Sequence, residues 1–397
     1  MSNNRQNFDL EFSLPDEDIY LDSATLGRLP TSSIKKIQDF YETNIGGTIR
    51  GTHRLAIEAS KILEEKRNAI SRVFSIAPNQ LSFLPSREVA ILNSLFYLDK
   101  SGKSKILTSV LEDHSILAPI IKISELYNLE IDFLSLKDEE NLVDKLNERI
   151  SSETKAVVLS SLTLGMGVKR NWRSISKICE EKEVPFILDI SNSVGHEPYD
   201  FTQHSPDIVL SSGSSGALGP PGIAFQILAE DIDKTFEPFL VGGGSIVSLN
   251  TNSFKLLSGS NKYEPGQLNL AAIVGLENSL TELKNIGFEK IQSYETKLRD
   301  HIIDGLNDAS KISLMESDGV EYGPILSFMS EEIDAHDIAI ILEDLGKISV
   351  RSGALCSHLF MDEIGMDSLI QVSTHVYNTE EDIRKFNELL RSIMEEI

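Results

Sequence analysis

The chain has 397 residues, 41% of them hydrophobic and 25% charged, an ordinary globular composition that excludes disorder as the default state and suffices for two domains with sizeable cores. Its 61 acidic against 37 basic residues leave a net charge of -24, which repels nucleic acid and anionic membrane surfaces, so neither is expected as a partner. No apolar run reaches the roughly 18 to 20 residues of a membrane helix. The opening "MSNNRQNFDLEFSLPDEDIY" lacks the basic-then-apolar order of a signal peptide, so a cytoplasmic protein is expected.

In chain order, residues 50 to 230 alternate short β-branched apolar segments with helix-period segments, the pattern of βαβ units around a mainly parallel sheet. The expected strands are "QLSFLPS", "KILTSV", "EIDFLSL", "KAVVLSSL", "VPFILDIS", "DIVLSS" and "GIAFQIL". Between them, "SILAPIIKISELYN" and "NWRSISKICEEKE" repeat apolar residues every three or four positions, as amphipathic helices do. Several strands end in polar or small residues: Ser86 and Arg87, Glu112 to His114, Thr163, Asp189 to Asn192, and Ser211 to Ser215. The carboxyl ends of such strands form the ligand crevice of an open α/β sheet, which makes these residues the candidate site.

After about residue 260 the texture changes to longer helices, "LNLAAIVGLENSLTELKNIG", "FEKIQSYETKLRDHIIDGLN" and "TEEDIRKFNELLRSIMEEI", separated by "PILSFMS", "KISVRSG" and "LIQVSTHVY". A small antiparallel α+β domain is expected there. Two cysteines, Cys179 and Cys356, make neither a disulfide framework nor a paired-cysteine metal site, and no metal centre is expected. Cys179 falls on an apolar helix position and reads as packing.

Taken together the motifs resemble the class V branch of the fold type I pyridoxal phosphate enzymes, and within it the group II cysteine desulfurases and selenocysteine lyases. The resemblance runs over nearly the whole chain and rests on "IYLDSATLGRLP", "FLPSREVAILNSL", "VLEDHSI", "FILDISNSVGHEPYDF", "KYEPGQLN", "SVRSGALCSHL" and "HVYNTEEDIRKF". It implies a fold type I aminotransferase-like architecture: a large α/β domain over 50–250 with a mainly parallel seven-stranded sheet, and a smaller α+β domain from 1–49 plus 251–397. It also implies a homodimer with the site at the subunit interface and "KYEPGQLN" reaching across.

The resemblance carries roles for single residues. His114 takes the place of the histidine stacked on the cofactor ring, and Asp189 that of the carboxylate paired with the pyridine nitrogen. Ser86 and Arg87 stand at a helix N-terminus suited to a phosphate, with Ser212, Ser215, Asn192 and Gln267 completing the cofactor contacts. Cys356 takes the place of the catalytic cysteine, and His196 a position that maintains the fold.

The pattern then breaks. Counting back from "GPPG", the family's His-Lys pair falls on Ser215 and Gly216, and no lysine occurs between Arg173 and Asp231 other than Lys177 and Lys182 on the "SISKICEEKE" segment. The lysine that would form an aldimine and shuttle protons is absent. The position of the carboxylate-binding arginine, fifteen residues after Cys356, is Gln371. Leu164 replaces an asparagine, Asn192 a glutamine, Gln267 a threonine and Lys262 an arginine. Without an aldimine beside it, Cys356 reads as a leftover thiol.

Arg87 at a first helical turn opposes the macrodipole, which points to a bound anion, the alternative being an arginine that turns to solvent or pairs with an acidic side chain. For His114 and Asp189, a flat aromatic ligand and a retained hydrogen-bond network remain alternatives. The expectation is a cysteine-desulfurase-like homologue that has lost the lysine-dependent reaction, with a binding, partner or sulfur-related role and a possible protein partner in sulfur transfer. Two alternatives stand beside it: an enzyme of altered mechanism holding pyridoxal phosphate noncovalently, and a small-anion-binding module in the remodelled crevice.

Overall fold

A computed structural model of the chain describes residues 4–13, 18–44, 46–48, 51–97, 102–202, 205–230, 237–309 and 311–395. All seven expected strands form one sheet: β1 (Leu81–Leu84), β2 (Lys105–Ser109), β3 (Glu130–Leu134), β4 (Thr154–Ser160), β5 (Phe186–Asp189), β6 (Ile208–Ser212) and β7 (Ala224–Leu228). Their order is β1-β7-β6-β5-β4-β2-β3, with β7 antiparallel to both its neighbours and the pairs among β6, β5, β4, β2 and β3 parallel.

Alternate side chains of each strand feed two different cores, which is why the strands read as continuous apolar runs. Leu107, Val157, Leu188, Val209 and Phe225 face one core, and their neighbours Ile106, Val158, Ile187, Leu210 and Ala224 face the other. The second face is covered by α3 (Arg87–Tyr97) and α4 (His114–Tyr127), through Ile91, Leu95, Ile116 and Ile120. The first is covered by α2 (Arg54–Val73), α5 (Trp172–Glu181) and α6 (Leu270–Ile286). The start of α4 is fixed locally, because the Asp113 carboxylate accepts the Ser115 amide at 2.7 Å, and its end by Asn128 in the left-handed region at φ 52°. Cys179 lies in the first core, as expected of a packing residue.

A further apolar centre belongs to a four-stranded antiparallel sheet ordered β8-β9-β11-β10, made of β8 (Ile312–Leu314), β9 (Ile325–Ser330), β10 (Arg351–Gly353) and β11 (Leu369–Ser373). On it pack α7 (Phe288–Asp308), α8 (Ala335–Gly346) and α10 (Glu380–Glu395). Ile19 and Leu21 join this centre, and residues 19–20 pair in parallel with residues 348–349.

Apolar packing crosses the borders read from sequence near residues 50 and 250. Helix α6 and the α7 residues Phe288 and Ile291 sit in the core of the seven-stranded sheet, and α1 (Thr31–Thr43) packs against α6. The helix that looked like the start of the small domain is thus the outer layer of the large one. Its residues Ile273, Leu276, Leu280 and Leu283 repeat at helical spacing and are fully buried there. Among the described residues, no helix is long and apolar enough to cross a membrane.

Candidate functional site

The carboxyl ends of β1, β2, β5 and β6 open into a cavity of about 330 Å³ that also touches the turn before α9 (His358–Ile364). Ser86, Arg87, His114, Asn192, Ser212, Ser215 and Cys356 line it, together with Glu88, Asp113, Ser214, Leu164 and Arg351. Among the described residues lining it there is no lysine.

Register explains how the sheet aims Asp189. It is the last residue of β5, paired across to Ser160 of β4 and Leu210 of β6, so its side chain emerges where the sheet ends. One oxygen accepts the Ser191 amide at 2.8 Å and the Ser191 hydroxyl at 2.5 Å. The other accepts Arg87 Nη1 at 2.7 Å, and Arg87 Nη2 reaches both oxygens of Asp113 at 2.8 Å. Arg87 is 13% exposed and its partners nearly sealed, at 3% for Asp113 and 2% for Asp189. Burial alone would depress the guanidinium, but Asp113 and then Asp189 outweigh it and hold its pKa above the ordinary value.

Of the two partners considered for Arg87, the acidic side chains are the ones found. Rather than standing ready for an anion, its guanidinium turns inward onto two carboxylates, and Asp113 also caps α4. The first turn of α3 does carry an anion of the chain's own, Glu88. Burial pushes the Glu88 carboxyl up, yet the Ser115 and Ser86 hydroxyls and Arg87 bring it below its ordinary value.

The loop at residues 213–216 holds Gly216, the counted place of the lysine. A Cβ on Gly216 would lie 2.1 Å from the Val194 carbonyl oxygen and 3.2 Å from His196 Cδ2, away from the cavity. No side chain fits there on this backbone, and the residues of the loop that face the crevice are Ser214 and Ser215.

His114 is exposed, and its ring stacks on His358 with centroids 4.8 Å apart and planes at 22°, Nε2 sharing a proton with His358 Nδ1 at 2.8 Å. One face of the ring expected to stack on a cofactor is thus covered by a second imidazole. Asn192 donates to the Leu162 carbonyl at 3.4 Å. Gln371 is fully buried and donates to the Leu164 carbonyl at 2.7 Å and to Ser327 Oγ at 3.2 Å, so it belongs to the small domain's framework and lines no part of the crevice. Gln267 is exposed and outside this cavity. Cys356 is exposed at the cavity's edge with φ at 54°, and its Sγ accepts Arg351 Nη2 at 2.9 Å while its carbonyl accepts the His114 amide at 2.9 Å.

Behind the loop lies a group of which the sequence flagged only His196, as a fold-maintaining position. His196 Nδ1 pairs with Glu295 Oε2 at 2.7 Å, and His375 Nε2 donates to the Gly216 carbonyl at 3.0 Å. Burial pushes Glu295 up to about 8, against the pull of His375. Burial pushes His196 down to about 4 and, helped by His196, His375 down to about 3. His375 sat in a strand-like run and Glu295 on an amphipathic helix, and nothing in either pattern distinguished them from core residues.

These residues do not fit pyridoxal phosphate as the family holds it. The carboxylate meant for the pyridinium is engaged on both oxygens, with a guanidinium on one of them, and among the described residues no lysine lines the crevice. The first turn of the helix meant for the phosphate carries an acidic residue of its own, Glu88.

The family profile described as Aminotransferase class-V matches residues 19–386. A probable cysteine desulfurase of Pyrococcus abyssi is 27% identical over 390 residues, covering 98% of this chain and 97% of its own. Among solved structures, the apo cysteine desulfurase of Thermococcus onnurineus NA1 superposes with a TM-score of 0.91 at 26% identity, covering all of both chains. A C-DES mutant with glycine covalently linked to its PLP cofactor superposes at 0.82 with 20% identity over 95% of this chain and 97% of that one, a likeness of fold alone.

Proposed function

This chain belongs to the class-V aminotransferase family, and within it we propose a cysteine-desulfurase-like protein that does not run the lysine-dependent pyridoxal phosphate reaction and serves as a binding or partner subunit. The observation that carries this reading is the Arg87 guanidinium spanning Asp189 and Asp113 in a crevice without a lysine among its described lining residues. The chain supplies from its own sequence the two charges that the cofactor would bring: a cation on Asp189 and, through Glu88, an anion at the start of α3. A side chain tethered to the fold has already lost its translational freedom, so it competes with a free ligand at high effective concentration.

Cys356 at the cavity edge, beside Arg351, is the group through which a sulfur-related role would run, with a protein partner as donor or acceptor. We place the chain in the cytoplasm as a homodimer. That assembly is supported by apolar side chains left exposed at Phe239 (47%), Val247 (58%), Leu249 (72%) and Phe254 (51%), ahead of the segment carrying Gln267.

The test is a titration of purified protein with pyridoxal phosphate, followed by absorbance, borohydride reduction and intact mass. No reducible adduct, and no alanine or sulfide formed from cysteine, is the expected result. A reduced adduct on any lysine, or turnover of cysteine, overturns the reading. A double variant, Arg87→Thr with Ser215→Lys, frees Asp189 and places an amine on the cavity wall, and should gain an adduct that wild type lacks.

A further inference from the structure

Beneath the crevice floor, three side chains from three separate elements converge: His196 after β5, Glu295 of α7 and His375 after β11. One ligand-type atom of each lies within 4.8 Å of the others, and all three residues are buried. Glu295 is 2% exposed, and its Oε1 has no hydrogen-bond partner among the described residues. That oxygen stands 3.5 Å from His375 Nδ1, too far for a good hydrogen bond. A sealed carboxylate oxygen without a donor is costly, and an imidazole nitrogen facing it cannot settle the cost without a proton or an ion between them.

We infer that His196, Glu295 and His375 form a binding site for one divalent first-row transition ion, zinc by preference. Two imidazoles and a carboxylate are a borderline-soft N,N,O donor set suited to such an ion. With metal–ligand bonds of about 2.0–2.2 Å, neighbouring donors of a tetrahedral site stand about 3.4 Å apart. The observed His196 Nδ1 to Glu295 Oε2 and His375 Nδ1 to Glu295 Oε1 separations, 2.7 and 3.5 Å, bracket that value.

The second layer already holds one ligand in the required tautomer. His375 Nε2 donates to the Gly216 carbonyl at 3.0 Å, and Nδ1 accepts the Val376 amide at 2.8 Å, so Nδ1 carries the lone pair. Binding exchanges that backbone hydrogen bond for a coordinate bond and releases the proton shared between His196 and Glu295. A route exists: a cavity of about 100 Å³ lined by Lys169, Glu197 and Glu321 reaches His196 and Glu295. Through Gly216, the ion would brace the loop that presents Ser214 and Ser215 to the crevice.

The experiment uses full-length protein stripped with a chelator, dialysed and titrated with cobalt(II), with visible absorbance and thermal melting as readouts. Expected are an intense d–d band of a four-coordinate ion saturating at equimolar cobalt, its loss on adding zinc, and a rise in Tm with either metal. Glu295→Gln and His375→Ala should each abolish the band, whereas Cys356→Ser and His114→Ala should leave it unchanged. Absence of the band in folded wild type overturns the proposal without recourse to any variant. So does a band that survives Glu295→Gln and His375→Ala, or one with sulfur charge-transfer character that disappears in Cys356→Ser.

Discussion

Two arginines of this molecule are each clamped between two carboxylates, and the settings could hardly differ more. Arg170 is 1% exposed, with Nε and Nη2 on Glu139 at 2.9 and 2.6 Å and Nη1 on Glu112, all inside the wall of the large domain. Arg87 makes the same chemical arrangement with Asp113 and Asp189 at the edge of an open cavity. The first is a strut whose guanidinium is nearly sealed, although Glu139 and Arg170 border a separate cavity. The second sits at the rim of the crevice at the strand ends, where Arg87 keeps 13% of its side chain exposed. Burial is what separates two ion clusters built of the same groups.

That difference can be broken by measurement. Arg170→Met leaves two sealed carboxylates without a counter-charge and should cost about 3–5 kcal/mol in urea denaturation. Arg87→Met should cost less, about 1–2 kcal/mol, because water entering the cavity can solvate Asp113 and Asp189. Equal losses would mean that the crevice is as closed as the Arg170 site.

The two cysteines give a sharper contrast within one experiment. Burial, with a smaller push from Asp207, raises Cys179 to about 12, whereas Cys356 is exposed beside Arg351. Near pH 8, iodoacetamide should add a single label by intact mass, and Cys356→Ser should remove it. Labelling of Cys179 in native protein would show that the core opens.

The smallest effect belongs to Glu88. Its folded pKa lies below the ordinary 4.5, so its contribution is in place above that pH and lost as pH falls through the lower folded value. Since Glu88 is half-buried, solvent screening limits the cost of Glu88→Gln to about 1 kcal/mol near pH 7, a cost that vanishes in acid. A cost independent of pH would assign the effect to packing instead.

Much of this was legible in the chain itself. Apolar runs such as "FILDI" and "KAVVLSSL" can only be strands covered on both faces, so the seven-stranded sheet and the polar ends of its strands followed from pattern. The missing lysine and the departures at Leu164 and Gln371 were equally matters of sequence, because they need only order and spacing.

What the one-dimensional pattern could not carry was direction and partnership. Arg87 at a helix start could turn outward or inward, and only the approach of Asp113 and Asp189 from two other strand ends settled which. Gly216 was the counted place for a side chain, and only the Val194 carbonyl pressed against it showed that none fits. His196, Glu295 and His375 are 99 and 80 residues apart along the chain and meet only when the elements carrying them pack. Local periodicity fixes which face of an element is apolar, but a constellation of polar groups depends on which elements the fold brings together.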